Sequence, residues 1–160
     1  MKPELKYEEP SPPALQALGR IAVAHSFLDR ILKMVIRDIE GLSLDEVLGL
    51  TNRWSSTKLR DRISCGAAIR LRANPEALDQ FKAILSGAKQ VSEKRNEMLH
   101  SVWGSDEHSI RMGSTDRGSF INLPNVDELN LMADHANSVA YSLLWARNGG
   151  FLAEALKRSG

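Results

Sequence analysis

Between Ala14 and Glu40 the apolar residues Leu18, Ile21, Ala22, Leu28, Leu32, Val35 and Ile39 recur at three- and four-residue spacing. Only a helix places such positions on one side, so the spacing predicts a long amphipathic helix over 14–40. Gly41 stops it. An apolar stripe of that length must be covered, and the rest of the chain supplies further stripes of the same period. "SLDE" (Ser43 to Glu46) is a capping box opening a short helix through Leu50. A third helix is expected over 56–72, with Leu59, Ile63, Ala67 and Ile69 on its apolar side. Asn74 followed by Pro75 starts a fourth, running to about Val102 and ended by Gly104. Asn125 with Glu128 opens the last long helix, which carries Leu129, Met132, Ala136, Val139, Ala140 and Leu143. Gly149 and Gly150 separate it from a closing turn or two, "FLAEALKR".

The period changes only between Gly104 and Pro124. "SIRMG" and "SFINL", joined by "STDR" and Gly118, read as a β-hairpin. The expected fold is therefore all-α, an antiparallel bundle of four to five helices with a short β-hairpin insertion near 109–122. Four of the six prolines lie in residues 1–13, which reads as a flexible tail ahead of a single domain over 14–160.

Nothing approaches the ~20 apolar residues of a membrane span. "MKPELKYEEPSPP" has acids and prolines where a signal peptide needs an apolar run, so a cytosolic protein is expected. Cys65 is the single cysteine, expected to be a small buried apolar residue, and no thiolate cluster is available for zinc. The net charge of +1 argues neither for nor against nucleic acid. Its distribution says more: Arg53, Lys58, Arg60, Arg62, Arg70 and Arg72 stand against the one acid Asp61. A basic third helix of this kind is either a solvated face or a track for RNA backbone, with Arg53, Lys58, Arg60 and Arg62 as the candidate contacts.

One residue breaks the pattern. At about 100° per residue, Phe81, Ile84, Leu85, Ala88, Val91, Leu99 and Val102 share one arc of the fourth helix, and Arg95 falls in its middle. A buried, unpaired guanidinium is untenable. Either the helix faces something polar there, or another element supplies an acid. On the first helix His25 sits near the centre of the stripe and Asp29 near its edge, so an Asp29–Arg95 pair across the bundle is expected. Asn96 and His100, four residues apart, lie together on one flank with Trp103 beyond them.

"RNEMLH" (Arg95 to His100) resembles the R-x(4–6)-H motif of the HEPN superfamily, small all-helical domains found in prokaryotic toxins and RNA-cleaving defence proteins. The polar Asn96 directly after the arginine fits that pattern, as does the position near the end of a late helix. The run "IAVAHSFLDRILKMVIRDIEGL" is similar to the helix opening many HEPN-like proteins, where an acid often stands near the place of Asp29. The resemblance implies a catalytic set of Arg95, Asn96 and His100, supported by Asp29 and His25. It implies metal-independent RNA cleavage without a cofactor, with a ribose 2′-hydroxyl attacking the adjacent phosphate. His100 would move the proton, Arg95 would bind the phosphate, and Asn96 would position the phosphate or orient His100. HEPN nucleases are characteristically homodimers, and side chains about 140° apart on one helix would converge on a phosphate most easily across a two-fold axis. RNA, a second copy and an antitoxin protein are the implied partners, in a toxin or phage-defence role.

Two alternatives stand beside that reading, a non-catalytic module of the same fold and an unrelated helical interaction protein. The stretch is also consistent with a structural Arg–Asp pair and an exposed histidine, in a non-catalytic HEPN-like module that binds RNA, nucleotide or a partner protein. His100 and His108 lack metal-ligand spacing and His135 reads as a surface residue, so no metal site is expected. No glycine-rich phosphate loop follows a strand, and nothing in the sequence sets Ser, His and Asp into a triad.

Overall fold

The computed structural model describes residues 9–100 and 123–158 in full, and the backbone of 6–7, 102–105, 110–113 and 120–122. The elements are β1 (Lys6–Tyr7), α1 (Pro12–Glu40), α2 (Leu44–Leu50), α3 (Ser56–Arg70), α4 (Pro75–His100), β2 (Val102–Ser105), β3 (Ile110–Gly113), β4 (Phe120–Asn122), α5 (Val126–Asn148) and α6 (Phe151–Arg158). The architecture is a helical bundle.

The helix ends follow from capping chemistry. Ser11 accepts from the Ala14 amide at 3.4 Å, and prolines occupy the first helical positions of α1, where their missing amides cost nothing. The helix therefore begins at Pro12, two residues before the expected start. Gly41 closes it with a left-handed φ of 70°. Ser43 and Glu46 satisfy each other's amides (3.2 and 2.7 Å), as do Asn125 and Glu128 (2.9 and 2.8 Å). Asn74 accepts from the Ala77 amide at 3.1 Å at the start of α4.

Three boundaries differ from the periodic reading. The proline-rich tail is not wholly unstructured, since Lys6 and Tyr7 pair antiparallel with Ser105 and Gly104. The third helix stops at Arg70, with Leu71 as its C-cap. The fourth ends at His100, and Val102 and Trp103 join a strand, so Trp103 does not continue the Asn96–His100 flank. The hairpin expected near 109–122 falls partly outside the described residues, as does the turn expected at 114–118. The strands themselves are β3, whose Arg111, Met112 and Gly113 oppose Asn122, Ile121 and Phe120 of β4, and β2, which lies on the other side of β3.

The helix directions correct the antiparallel expectation. Arg20 bonds Asn130 and Asp134 while Asp38 binds Arg147, so α1 and α5 run in the same direction. Asp29 meets Ser56 and Ile39 meets Gly66, so α3 also runs with α1. Of the four long helices, only α4 opposes the others: His25 is bonded to Ser92, while Met98 packs with Ala14 and Ala17. The physical cause is α2, whose segment carries the chain back along α1 before α3 begins.

The core lies between α1, α3, α4 and α5, with Leu28, Leu32, Phe81 and Leu143 fully enclosed. Gly66 is what allows α3 to approach α1, because a Cβ there would lie 2.7 Å from Ile39 Cγ2. That close face turns its neighbours outward. Cys65 is exposed rather than buried, and Ile69 is 67% exposed rather than on the apolar side, where Leu71 takes its place. A smaller cluster of Ala14, Ala17, Ile21, Met98, Leu129 and Ala133 fills the end of the bundle where α4 finishes.

Candidate functional site

The last turn of α4 is supported from below by that smaller cluster, with Met98 pointing in and Asn96 and His100 exposed. Arg95 is half-buried. Its Nη1 donates to Asn96 Oδ1 at 3.0 Å and lies 3.3 Å from His100 Nε2. The three motif residues thus meet within one chain. The separation around the helix suggested they would not, but the length of the arginine side chain closes the gap. The guanidinium has no carboxylate partner among the described residues, and its Nε is buried without any hydrogen-bond partner. Arg95 also lines a groove of about 570 Å³ between α4 and α5, over Ile21, Val91 and Met132. His135, exposed as expected, lines the same groove.

The expected Asp29–Arg95 pair does not form. Asp29 Oδ1 accepts from Ser56 Oγ at 2.7 Å, and its other oxygen lies 3.6 Å from His25 Nδ1. The parallel course of α3 sets Ser56 against Asp29, so the carboxylate is satisfied before it can reach α4.

A buried polar layer underlies the motif instead. His25 is 7% exposed, Ser92 5% and Arg60 9%. Ser92 Oγ receives Arg60 Nη1 at 2.8 Å, lies 3.3 Å from His25 Nε2, and donates to the Ala88 carbonyl at 3.0 Å. Ser56 Oγ is also 3.3 Å from His25 Nε2. Each hydroxyl has one proton, given to Ala88 by Ser92 and to Asp29 by Ser56. The network therefore assigns the imidazole proton to Nε2, which donates to the serines. Serine, histidine and aspartate are together here, but the proton direction is opposite to that of a nucleophilic triad, in which the imidazole accepts from the serine. Burial holds the pKa of His25 below its ordinary value; Asp29 works against that, while Arg95 and Arg60 reinforce it.

The basic residues of α3 do not form one track. Arg60 is turned inward, with Nη2 on Thr57 Oγ1 at 3.3 Å, so it is not a surface contact for RNA. Arg62 is held by Glu40 on another side of the helix. Arg53 is exposed in the turn before α3 with a left-handed φ of 60°, and the Lys58 ammonium stands 4.3 Å over the Trp54 ring. Arg53, Lys58 and Arg62 all remain on the surface, Arg62 with its guanidinium tied to Glu40; of the four, only Arg60 is turned inward, by neighbours the sequence did not reveal.

Ser92 and Ser56 were not singled out from the sequence. A signal existed for Ser92, since it stands one turn before Arg95 at the edge of the same apolar arc. Two polar residues a turn apart on a buried side indicate a polar layer rather than an isolated anomaly. Among the described residues no three His, Cys, Asp or Glu side chains are grouped to hold a metal ion, and no helix is long and apolar enough to cross a membrane. His108 lies outside the described residues. In comparison with known proteins, no family model, no curated protein and no solved structure matches the chain.

Proposed function

We propose that this chain is a HEPN-like, metal-independent endoribonuclease that works as a homodimer, with Arg95, Asn96 and His100 as its active site. The observation that carries the reading is the convergence of Arg95 Nη1 with Asn96 and His100 at an exposed helix end, by a guanidinium with no carboxylate partner among the described residues. A phosphodiester supplies the missing anion. In the reaction, His100 takes the proton of the ribose 2′-hydroxyl as the 2′ oxygen bonds to phosphorus. The P–O5′ bond then breaks, and the 5′ oxygen takes up a proton, leaving a 2′,3′-cyclic phosphate. Arg95 stabilises the charge that grows on the phosphoryl oxygens, and Asn96 keeps the guanidinium in line. The dimer rests on the resemblance alone, because the motif converges within one chain. A β-hairpin near 109–122 is read as an insertion in the bundle. A toxin or phage-defence role, with an antitoxin as regulator, belongs to the same proposal.

One observation favours a second reading, a non-catalytic HEPN-like module that binds RNA, nucleotide or a protein. The contact between Arg95 Nη1 and His100 Nε2 occupies the lone pair that a base needs. In a nuclease that contact yields when phosphate takes the guanidinium. The test is incubation of wild type and His100→Ala with a structured RNA in EDTA. Cleavage by wild type alone, leaving 2′,3′-cyclic ends, supports the nuclease. Absence of cleavage by a folded, dimeric wild type leaves the binding module.

A further inference from the structure

We propose that Ser92 is a positioning residue for Arg95, the hub through which Arg60 and His25 fix the setting of α4 beneath the motif. Its catalytic consequence rests on the nuclease reading; its structural consequence does not.

Ser92 is the point where three helices meet through polar atoms. Its hydroxyl takes Arg60 from α3 at 2.8 Å and His25 from α1 at 3.3 Å, and is anchored to its own helix at the Ala88 carbonyl. Apolar contacts tolerate a helix sliding or turning by a fraction of a residue, because they have little directionality. Hydrogen bonds from two directions to one buried oxygen do not. They set both the rotation and the height of α4 one turn before Arg95.

Arg95 needs such a foundation. Its Nε is enclosed but bonded to nothing, so no side-chain partner holds the root of the guanidinium. Among the described residues only the tip is tethered, through Nη1 to Asn96 and His100, which ride on the same helix. Where the guanidinium lies relative to the rest of the molecule is thus decided by the backbone that carries it. Arg60 is the costly part of the arrangement: a guanidinium 9% exposed whose two hydrogen bonds among the described residues go to hydroxyls, Ser92 and Thr57. A buried cation with neutral partners is a poor device for stability alone, and its retention beside the motif is what a positioning role accounts for.

The experiment separates positioning from folding with two variants of the full chain, Ser92→Ala and the double variant Ser92→Ala/Arg60→Met. The single variant strands a buried guanidinium and loses stability; the double variant removes donor and acceptor together and recovers much of it. Two readouts are taken on each: the single-turnover rate of RNA cleavage, and solvent exchange of the Arg95 Nε–H by NMR without RNA. The expected result for the double variant is restored stability, a rate lowered about a hundredfold with KM little changed, and Nε–H exchange faster by about tenfold or more. Restored stability with wild-type rate and wild-type exchange would overturn the proposal. If wild type cleaves no RNA, the nuclease reading fails, and the exchange measurement alone decides whether Ser92 positions Arg95.

Discussion

Arg147 grips Asp38 with two parallel bonds, Nε to Oδ2 at 2.7 Å and Nη2 to Oδ1 at 3.2 Å, and so ties α5 to α1. The two side chains are only 12% and 19% exposed, so the pair is shielded enough to matter yet not stripped of water. Replacing Arg147 by alanine leaves Asp38, among the described residues, with its neighbour Arg37 and should cost about 2 kcal/mol. Arg147→Lys should restore less than half of that, because an ammonium cannot reproduce the fork. Urea midpoints of the three proteins check this; equal midpoints for lysine and arginine would refute it.

Arg95→Lys tests the geometry of the motif in the same spirit. A lysine keeps the charge but cannot reach Asn96 and His100 while presenting a planar pair of donors to phosphate. If the proposed nuclease activity holds, the expected outcome is an unchanged far-ultraviolet spectrum with RNA cleavage lowered about a hundredfold or more. Cleavage within a few-fold of wild type would mean that only a positive charge is required there.

His25 makes stability depend on pH in a stated direction. Its folded pKa lies below the ordinary value of 6.5, chiefly because it is buried. The unfolded chain therefore binds the proton more readily, and acid favours unfolding. The groups facing the imidazole are Asp29 on its own helix, Arg60 on α3 and Arg95 on α4. The contribution should be fully present above pH 6.5 and should be lost as pH falls from there towards the folded pKa. His25→Gln should flatten the change in urea midpoint between pH 7.5 and 5; an identical pH profile in that variant would show that other groups carry it.

Two glycine substitutions should have opposite signs. A Cβ at Gly19 meets nothing within 4 Å, so Gly19→Ala should stabilise α1 by about 0.5–1 kcal/mol. At Gly66 the same methyl would sit 2.7 Å from Ile39 Cγ2, a stiff branch close to the backbone. Overpacking outweighs helix propensity there, and Gly66→Ala should destabilise by about 1–3 kcal/mol. Thermal melts of the two variants decide it.

Much of the bundle could be read from spacing and caps. Gly41, the two capping boxes and Asn74 mark helix ends because each is a local device, complete within four residues. The directions of the helices could not be read, since the α2 segment that returns the chain along α1 has no signature of where it leads. The site shows the same division. Arg95, Asn96 and His100 share a turn and its neighbour, so they were visible as a group. The partner of Asp29 was not, because Ser56 reaches it only through the placement of α3, and Arg60 read as a surface charge because its position on a weakly patterned helix carried no sign of burial. Ile69 and Cys65 were misplaced for one reason: the contact with Ile39 belongs to Gly66, and a glycine does not register in a hydrophobic pattern.

The alignment of α1 with α5 has a consequence for how the chain acquires its shape. Asp38 and Arg147 stand 109 residues apart in sequence, and α1 packs most extensively against α5. A growing polypeptide presents the stripe of α1 long before its principal cover exists. The α3–α4 hairpin can close locally and fast, but α1 must wait for a distant partner and bear the entropy of closing that loop. For a helical protein this is a non-local topology, and docking of α5 onto α1 should be the late step of folding.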